Sequence, residues 1–188
     1  MSVKKIAVVI GSLRKDSLTR KCALELIAQA PATLSMEIVE IGDLVMFNQD
    51  LEENGATAPH PWTRFRQRIE AMDGVMFFTP EYNRSVPAAL KNALDIGSRP
   101  YGANVWAGKP AAVVSVSPGA LGGFGANHHL RQSLVFLDMP TMQQPEAYIG
   151  NAAELIGVDG AITSERTRLF LQKIATGFAA WVDVNASR

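Results

Sequence analysis

Short apolar runs alternate along the chain with segments whose apolar residues recur at helical spacing. The runs predict strands near residues 4–10, 36–41, 74–79, 111–117 and 139–143. The periodic segments predict helices near residues 17–30, 62–72, 86–98, 124–137 and 164–182. Because strands that alternate with helices form βαβ units, the pattern predicts an α/β fold with a parallel sheet and helices on both faces.

The chain is short enough to form a single domain. Its 188 residues contain no internal repeat, no low-complexity run and no linker between domains, so residues 1–188 are predicted to fold together. The longest irregular stretch covers residues 42–61. Loops of that length are often functional or mobile.

Charge and composition narrow the class of protein. The 18 basic and 18 acidic residues balance, which gives no electrostatic reason to expect nucleic acid or an acidic membrane surface as a partner. The apolar run after Lys4 and Lys5 is only strand-length and stops at Gly11, which does not fit a signal peptide or a membrane span. We therefore expect a cytoplasmic protein that binds neither nucleic acid nor membrane.

Cysteine and histidine usage argues against a thiol nucleophile and against a metal site. Cys22 is the single cysteine, so no internal disulfide is possible and we expect the protein in a reducing compartment. Cys22 shares a helical stripe with Leu18 and Leu26, so we expect its side chain to be a buried small apolar group. His128 and His129 are adjacent, so on a helix they point roughly 100° apart and cannot share a metal as an i, i+4 pair does.

The segment after the first predicted strand is rich in groups that bind anions. Gly11 allows a turn, and the hydroxyls of Ser12, Ser17 and Thr19 and the guanidinium of Arg14 follow it at the start of a helix. Free N–H groups and the helix dipole favour an anion at such a terminus. Ser17 could simply cap the helix, but three hydroxyls and a guanidinium exceed what one cap needs, so phosphate binding is favoured.

Two common nucleotide signatures are absent from the sequence. No G-x-x-x-x-G-K-[ST] run occurs, and no G-x-G-x-x-G follows the first predicted strand. The glycine cluster within residues 119–125 follows a later strand and lacks the context of that fingerprint. A phosphate held by hydroxyls instead suits a mononucleotide.

A second candidate loop follows the predicted strand at residues 74–79. Pro80 ends the strand, and Glu81, Tyr82 and Asn83 add backbone donors, an aromatic ring and an amide at the carboxyl edge of the sheet. Ser85 is expected to cap the next helix. The loop suits a flat ring with polar edges, although an ordinary strand-to-helix turn has a similar composition.

Three motifs in order carry a family resemblance: Gly11-Ser12-Leu13-Arg14 through Ser17, then Pro80-Glu81-Tyr82-Asn83 with Ser85, Pro87, Leu90-Lys91-Asn92-Ala93 and Asp95, then Ser117-Pro118-Gly119 with Gly122-Gly123. Together they resemble the flavodoxin-like NAD(P)H-dependent FMN reductases, close to the bacterial quinone and chromate reductase branch. The resemblance implies a three-layer sandwich around a five-stranded parallel sheet of order 2-1-3-4-5.

The resemblance also implies a set of residues that bind FMN. The residues implied for the phosphate are Ser12, Arg14, Ser17 and Thr19, those for the isoalloxazine ring are Pro80, Glu81, Tyr82, Asn83 and Ser85, and those for the far wall are Ser117 and Gly119. The family usually has Asn where this chain has Thr19, but a hydroxyl still donates to phosphate.

The implied activity is transfer of hydride from NADPH or NADH to bound FMN and then to quinones, chromate, azo compounds or free flavin. Hydride transfer at the flavin requires no acid or base, so no catalytic side chain is predicted. Arg84 is left with three roles: contact with a nicotinamide phosphate, contact with a partner subunit, or exposure to solvent. Glu146 resembles a family position that lies near the subunit interface and the flavin. The alternative is an acidic side chain in a loop, exposed to solvent.

A homo-oligomer, dimer or tetramer, is a further implication. The predicted helices 86–98 and 124–137 are candidates for the interface because the small residues Ala88, Ala89, Gly97 and Ala126 permit close approach, although these residues could equally pack on their own sheet.

Two alternatives belong to other functional classes. A flavodoxin-type electron carrier without NAD(P)H turnover is the alternative, although such carriers are typically acidic. A response regulator is rejected, because the chain has Gly11-Ser12 and Thr79-Pro80 where that class needs acidic residues.

Overall fold

The computed structural model describes residues 2–53 and 55–186. Two predictions therefore include residues outside this set. They are the single domain of residues 1–188 and the irregular stretch 42–61, which contains Asn54. The strands are β1 (Lys4–Ile10), β2 (Leu34–Ile38), β3 (Gly74–Thr79), β4 (Ala111–Val116) and β5 (Ala147–Ile149). The helices are α1 (Leu18–Ala28), α2 (His60–Glu70), α3 (Ala88–Gly97), α4 (Phe124–Phe136) and α5 (Glu165–Asn185), with a 3₁₀ turn at Gln49–Leu51.

All strand pairs are parallel, and the order across the sheet is β2-β1-β3-β4-β5. β1 lies between β2 and β3, so its residues Ile6 to Ile10 are buried on both faces and read as one apolar run. The chain moves outward from β1 to β2 and then crosses back to β3, which places the reversal of strand order between β1 and β3. The predicted α/β class and the strand order 2-1-3-4-5 are confirmed.

Each face of the sheet packs against its own set of helices. On one face, α1 and α5 contribute buried residues such as Cys22, Leu26 and Phe178. On the other face, α2, α3 and α4 cover the sheet, with Trp62 and Trp106 among the largest fully buried side chains. The sandwich therefore has three layers.

Cys22 is buried, as the helical stripe predicted. Burial, with a smaller contribution from the charge of Glu25, raises the pKa of the thiol to about 12. The thiol is therefore protonated near neutral pH and is a poor nucleophile.

The described residues include neither a membrane-spanning helix nor a clustered metal site. Within those residues, none of the helices combines the length and apolar composition that a bilayer-spanning helix requires. The same part of the chain contains no group of three or more His, Cys, Asp or Glu side chains placed to hold a metal ion.

The fifth strand was predicted at the wrong place. Residues 139–143 run beside the start of β4 but form only an isolated bridge, Ala111 with Thr141, and the ladder with β4 forms later, at Ala147–Ile149. Pro140, within this run, lacks the N–H that a continuous ladder needs.

Candidate functional site

Three loops emerge at one edge of the sheet because β1, β3 and β4 are parallel neighbours. The first two loops are in contact: the N–H of Gly11 donates to the carbonyl of Phe78 at 2.8 Å. A Cβ on Gly11 would lie 3.1–3.3 Å from Leu90 and Pro80, so glycine permits this close approach. The structure therefore brings the predicted phosphate loop, residues 11–19, and the predicted ring loop, residues 80–85, together at the point where the strand order reverses.

The phosphate loop presents hydroxyls and free backbone donors. Ser12, Ser17 and Thr19 are buried, whereas Arg14 is exposed. The Ser17 hydroxyl accepts from the N–H of Arg20 at 3.1 Å and so caps α1, which was the alternative to phosphate binding. The hydrogen of this hydroxyl remains able to donate to a ligand.

Backbone N–H groups complete the anion-binding character of this loop. In the described part of the chain, the N–H groups of residues 12–17 donate to no protein acceptor. The first turn of α1 adds further N–H groups that have no partner within the helix. Such a cluster matches the oxygens of a phosphate.

The ring loop folds into a two-residue hairpin between Tyr82 and Ser85. The N–H of Tyr82 donates to the carbonyl of Ser85 at 3.1 Å, and the N–H of Ser85 donates back at 3.0 Å. The two central residues, Asn83 and Arg84, have positive φ values of 50° and 63°. This combination is typical of a type I′ turn, which favours Gly over Arg at its second central position.

Ser85 does not cap the following helix, contrary to the prediction. α3 begins at Ala88 after Pro87, and its N-cap makes no side-chain hydrogen bond. The Ser85 hydroxyl instead lies 3.0 Å from Nδ1 of His129 on α4. Ser85 belongs to the hairpin and lies two residues before the N-cap position of α3, which Pro87 occupies.

The Glu81 carboxylate caps a helix from another part of the chain. α4 begins after Gly123, which has no side chain to cap it, and Glu81 Oε2 accepts from the N–H of Ala126 at 3.0 Å. A Cβ on Gly125 would lie 3.0 Å from that carboxylate oxygen and 2.7 Å from the carbonyl of Arg84. The Glu81 side chain thus faces α4, and only the backbone of Glu81 can contribute to the ring-binding surface of the loop.

The third loop is organised by its own backbone. Ser117 donates its N–H to the carbonyl of Ile149 at 2.9 Å, and its hydroxyl accepts from the N–H of Gly119 at 3.1 Å. Gly122 has a φ of 61°, and a Cβ there would lie 2.7 Å from the backbone of Tyr148. The predicted wall residues Ser117 and Gly119 therefore belong to one turn at the end of β4.

Asn92, to which the sequence pattern assigned no role, is buried on α3, the helix that follows the ring loop. Its Oδ1 accepts from the N–H of Phe47 at 2.8 Å, and its Nδ2 donates to the carbonyls of Leu44 and Val45 at 3.1 and 3.2 Å. Part of the irregular stretch is thereby fixed to the helix that follows the ring loop. The motif Leu90-Lys91-Asn92-Ala93 contains this residue but did not indicate its role.

Glu146 accepts a hydrogen bond from the hydroxyl of Tyr148 at 3.0 Å, and that hydroxyl also lies 3.0 Å from Nε2 of His128. Burial first, and then the hydrogen bond to Glu146 and its charge, raise the pKa of Tyr148 to about 12. Arg84 lies 3.6 Å from the Glu81 carboxylate, with its side chain 76% exposed.

The donor set fits the FMN that the sequence suggested. A phosphate needs several N–H and hydroxyl donors, and the first loop supplies both beside an exposed guanidinium. A flavin ring needs backbone donors at its polar edge, and the hairpin leaves the N–H groups of Asn83 and Arg84 without a protein acceptor in the described part of the chain.

Comparison with known proteins agrees with this fit. The sequence profile of the family described as NADPH-dependent FMN reductase matches residues 4–154. A quinone reductase from Pseudomonas putida is 58% identical over 183 residues, which cover 97% of each chain. A 2-hydroxy-1,4-benzoquinone reductase from a Burkholderia species is 46% identical over 178 residues, covering 95% of this chain and 96% of the relative.

Among solved structures, the flavoenzyme FerB from Paracoccus denitrificans, described as an NAD(P)H:(acceptor) oxidoreductase, superimposes with a TM-score of 0.89. It is 43% identical, and the match covers 97% of this chain and 99% of FerB.

Replacing Glu81 with Ala removes the carboxylate that caps α4. We expect the free energy of unfolding of the apoprotein to fall by about 1–2 kcal/mol, the usual effect of losing an N-cap acceptor. Glu81→Gln should recover part of this loss because its amide oxygen can accept the same bond. Urea denaturation of the three proteins measures the difference, and an unchanged midpoint for Glu81→Ala would contradict the capping role.

Proposed function

The chain belongs to the family of NADPH-dependent FMN reductases and is an FMN-dependent NAD(P)H oxidoreductase, and we propose that quinones are its electron acceptors. The observation that supports FMN as the cofactor is the meeting of a donor-rich phosphate loop and a hairpin with free N–H groups at one edge of the sheet. The names of the quinone reductase relatives, at 58% and 46% identity, support the choice of acceptor.

We assign the phosphate of FMN to the loop after β1, with Ser12, Ser17 and Thr19 as hydroxyl donors and Arg14 as the cation. The buried hydroxyls are held by the fold, whereas the exposed Arg14 side chain orders on binding. Because charge-assisted hydrogen bonds are stronger than neutral ones, Arg14 is expected to contribute more affinity than any single hydroxyl.

We assign the flavin ring to the backbone of residues 80–85, with the turn of Ser117 and Gly119 as the opposite wall. Bound FMN supplies the redox chemistry, since it accepts hydride from a nicotinamide and passes electrons to an acceptor. The protein's own contribution is to hold the ring and place donors at its polar edge. For this reason no side chain is proposed as a proton donor or acceptor.

The proposal extends to chromate, azo compounds and free flavin as acceptors, since the assigned residues bind the cofactor and none of them is dedicated to one acceptor. NADPH and NADH both remain co-substrates in it. We place the protein in the cytoplasm, because its single cysteine gives it no internal disulfide to maintain.

The activity is tested by the visible spectrum of the purified protein with FMN during anaerobic addition of NADPH. We expect flavin bands that bleach with NADPH and return when a quinone is added. Steady consumption of NADPH with the quinone would also exclude a one-electron carrier as the main role. A protein that binds no FMN would overturn the cofactor, and a bound flavin that neither NADPH nor NADH bleaches would overturn the activity.

The phosphate assignment is tested by Arg14→Ala, with Lys15→Ala as the matched control in the same loop. Loss of a charge-assisted contact should weaken FMN binding by about tenfold or more. The control removes the same charge one residue away and should change the dissociation constant far less. Equal dissociation constants for Arg14→Ala and the wild type, measured by quenching of flavin fluorescence, would refute the assignment.

We also propose that the protein forms a dimer or tetramer through α4. Three large apolar side chains of this helix are mostly exposed in the single chain: Phe124 (52%), Val135 (75%) and Phe136 (79%). The small residues that first suggested this helix and α3 do not all support an interface. Ala126 is fully buried, and a Cβ on Gly97 would lie 2.4 Å from Trp106, so both pack within their own subunit.

Light scattering at micromolar concentration tests this interface. The wild type should be a dimer or tetramer, and Phe136→Glu should shift it toward the monomer because a charge would be buried at the contact. Leu24→Glu, a substitution at an exposed site on α1, is the control and should leave the assembly unchanged. A monomeric wild type would dispose of the proposal.

A further inference from the structure

The ring-loop hairpin is strained, and its strain needs an explanation. Asn83 and Arg84 are consecutive non-glycine residues with left-handed φ values. A residue with a side chain loses about 1–2 kcal/mol in this region relative to the right-handed one, although Asn tolerates it better than most. Such a conformation persists only where the surrounding structure holds it in place.

The surroundings that hold the hairpin lie on α4. Gly125 leaves space for the carbonyl of Arg84, and the N–H of Ala126 binds the Glu81 carboxylate. His129 places its Nδ1 3.0 Å from the hydroxyl of Ser85. Positions 125, 126 and 129 are one turn apart or adjacent, so a single side of the helix contacts Glu81, Arg84 and Ser85.

Of these three positions, His129 alone acts through its side chain. Gly125 contributes the absence of a Cβ, and Ala126 contributes a backbone N–H. The Ser85 hydroxyl can donate to an imidazole nitrogen or accept from it, so either tautomer of His129 makes the contact. The neighbouring His128 contacts Tyr148 instead and does not reach the hairpin.

We propose that His129 is a positioning residue for FMN: it holds Ser85, and with it the strained hairpin, in the shape that presents free backbone N–H groups to the flavin ring. This inference rests on the proposed assignment of the flavin ring to residues 80–85. It also changes the role of Ser85, whose hydroxyl serves the loop by binding His129 and not by binding FMN directly. His129 touches no reacting atom.

The experiment compares FMN binding by the wild type, His129→Ala, His129→Asn, Ser85→Ala and the double alanine variant. His128→Ala is the matched control, because it removes the same ring from the adjacent position of α4. Dissociation constants come from the quenching of flavin fluorescence. Thermal unfolding of each apoprotein and light scattering show whether stability or assembly has changed.

We expect His129→Ala to weaken FMN binding by about three- to tenfold, the effect of losing one hydrogen bond. His129→Asn should restore most of the affinity, because its amide nitrogen can occupy the place of Nδ1. Ser85→Ala should match His129→Ala, and the double variant should be no weaker than either, because both substitutions remove the same bond. His128→Ala should bind FMN as the wild type does, and the unfolding midpoints of the apoproteins should agree.

Unchanged FMN affinity in His129→Ala, additive losses in the double variant, or no recovery in His129→Asn would each overturn the role of His129. If His129→Ala does not fold, Ser85→Ala decides, since it breaks the bond from the loop side and normal affinity there is equally fatal. A wild type that binds no FMN would refute the proposed function itself. The two failures are therefore distinguishable.

Discussion

Pairing of β1 with β3 is the interaction on which the rest of the structure depends. These strands lie at the centre of the sheet, and the strand order reverses between them. The helices that follow them pack on opposite faces, so a crevice opens at the carboxyl edge where neither helix covers the sheet. The loops after β1 and β3 border this crevice. Without the parallel register of Ile6 to Ile10 with Gly74 to Phe78, the two loops would not meet.

Backbone polar groups at that edge are satisfied in an uneven way. α4 receives its cap from Glu81 in a neighbouring loop, and α1 receives its cap from Ser17 just before it. Other N–H groups in the same loops, within the described part of the chain, have no protein acceptor. Such exposed donors are solvated at little cost and are therefore available to a ligand.

Rigidity at the site comes from side chains set behind it. Asn92 fixes the segment Leu44 to Phe47 to α3, and Trp62 adds a further hydrogen bond from its Nε1 to the carbonyl of Val45 at 3.0 Å. On the other side, α4 holds the hairpin through the contacts at positions 125, 126 and 129. A strained loop braced by α4 can present its donors with little loss of entropy when the cofactor binds.

The sequence by itself determined the α/β class, the five helices, four of the five strands and the three loops, because these follow from local periodicity and from glycine and proline positions. It also indicated the cofactor through motifs that lie within single loops. Only the tertiary structure decided the place of β5, the partner of Ser85, and the roles of Glu81 and Asn92. The three side-chain roles depend on hydrogen bonds between residues 44 to 48 positions apart in the sequence, and the place of β5 depends on its register with β4. Neither kind of contact leaves a periodic trace in the chain.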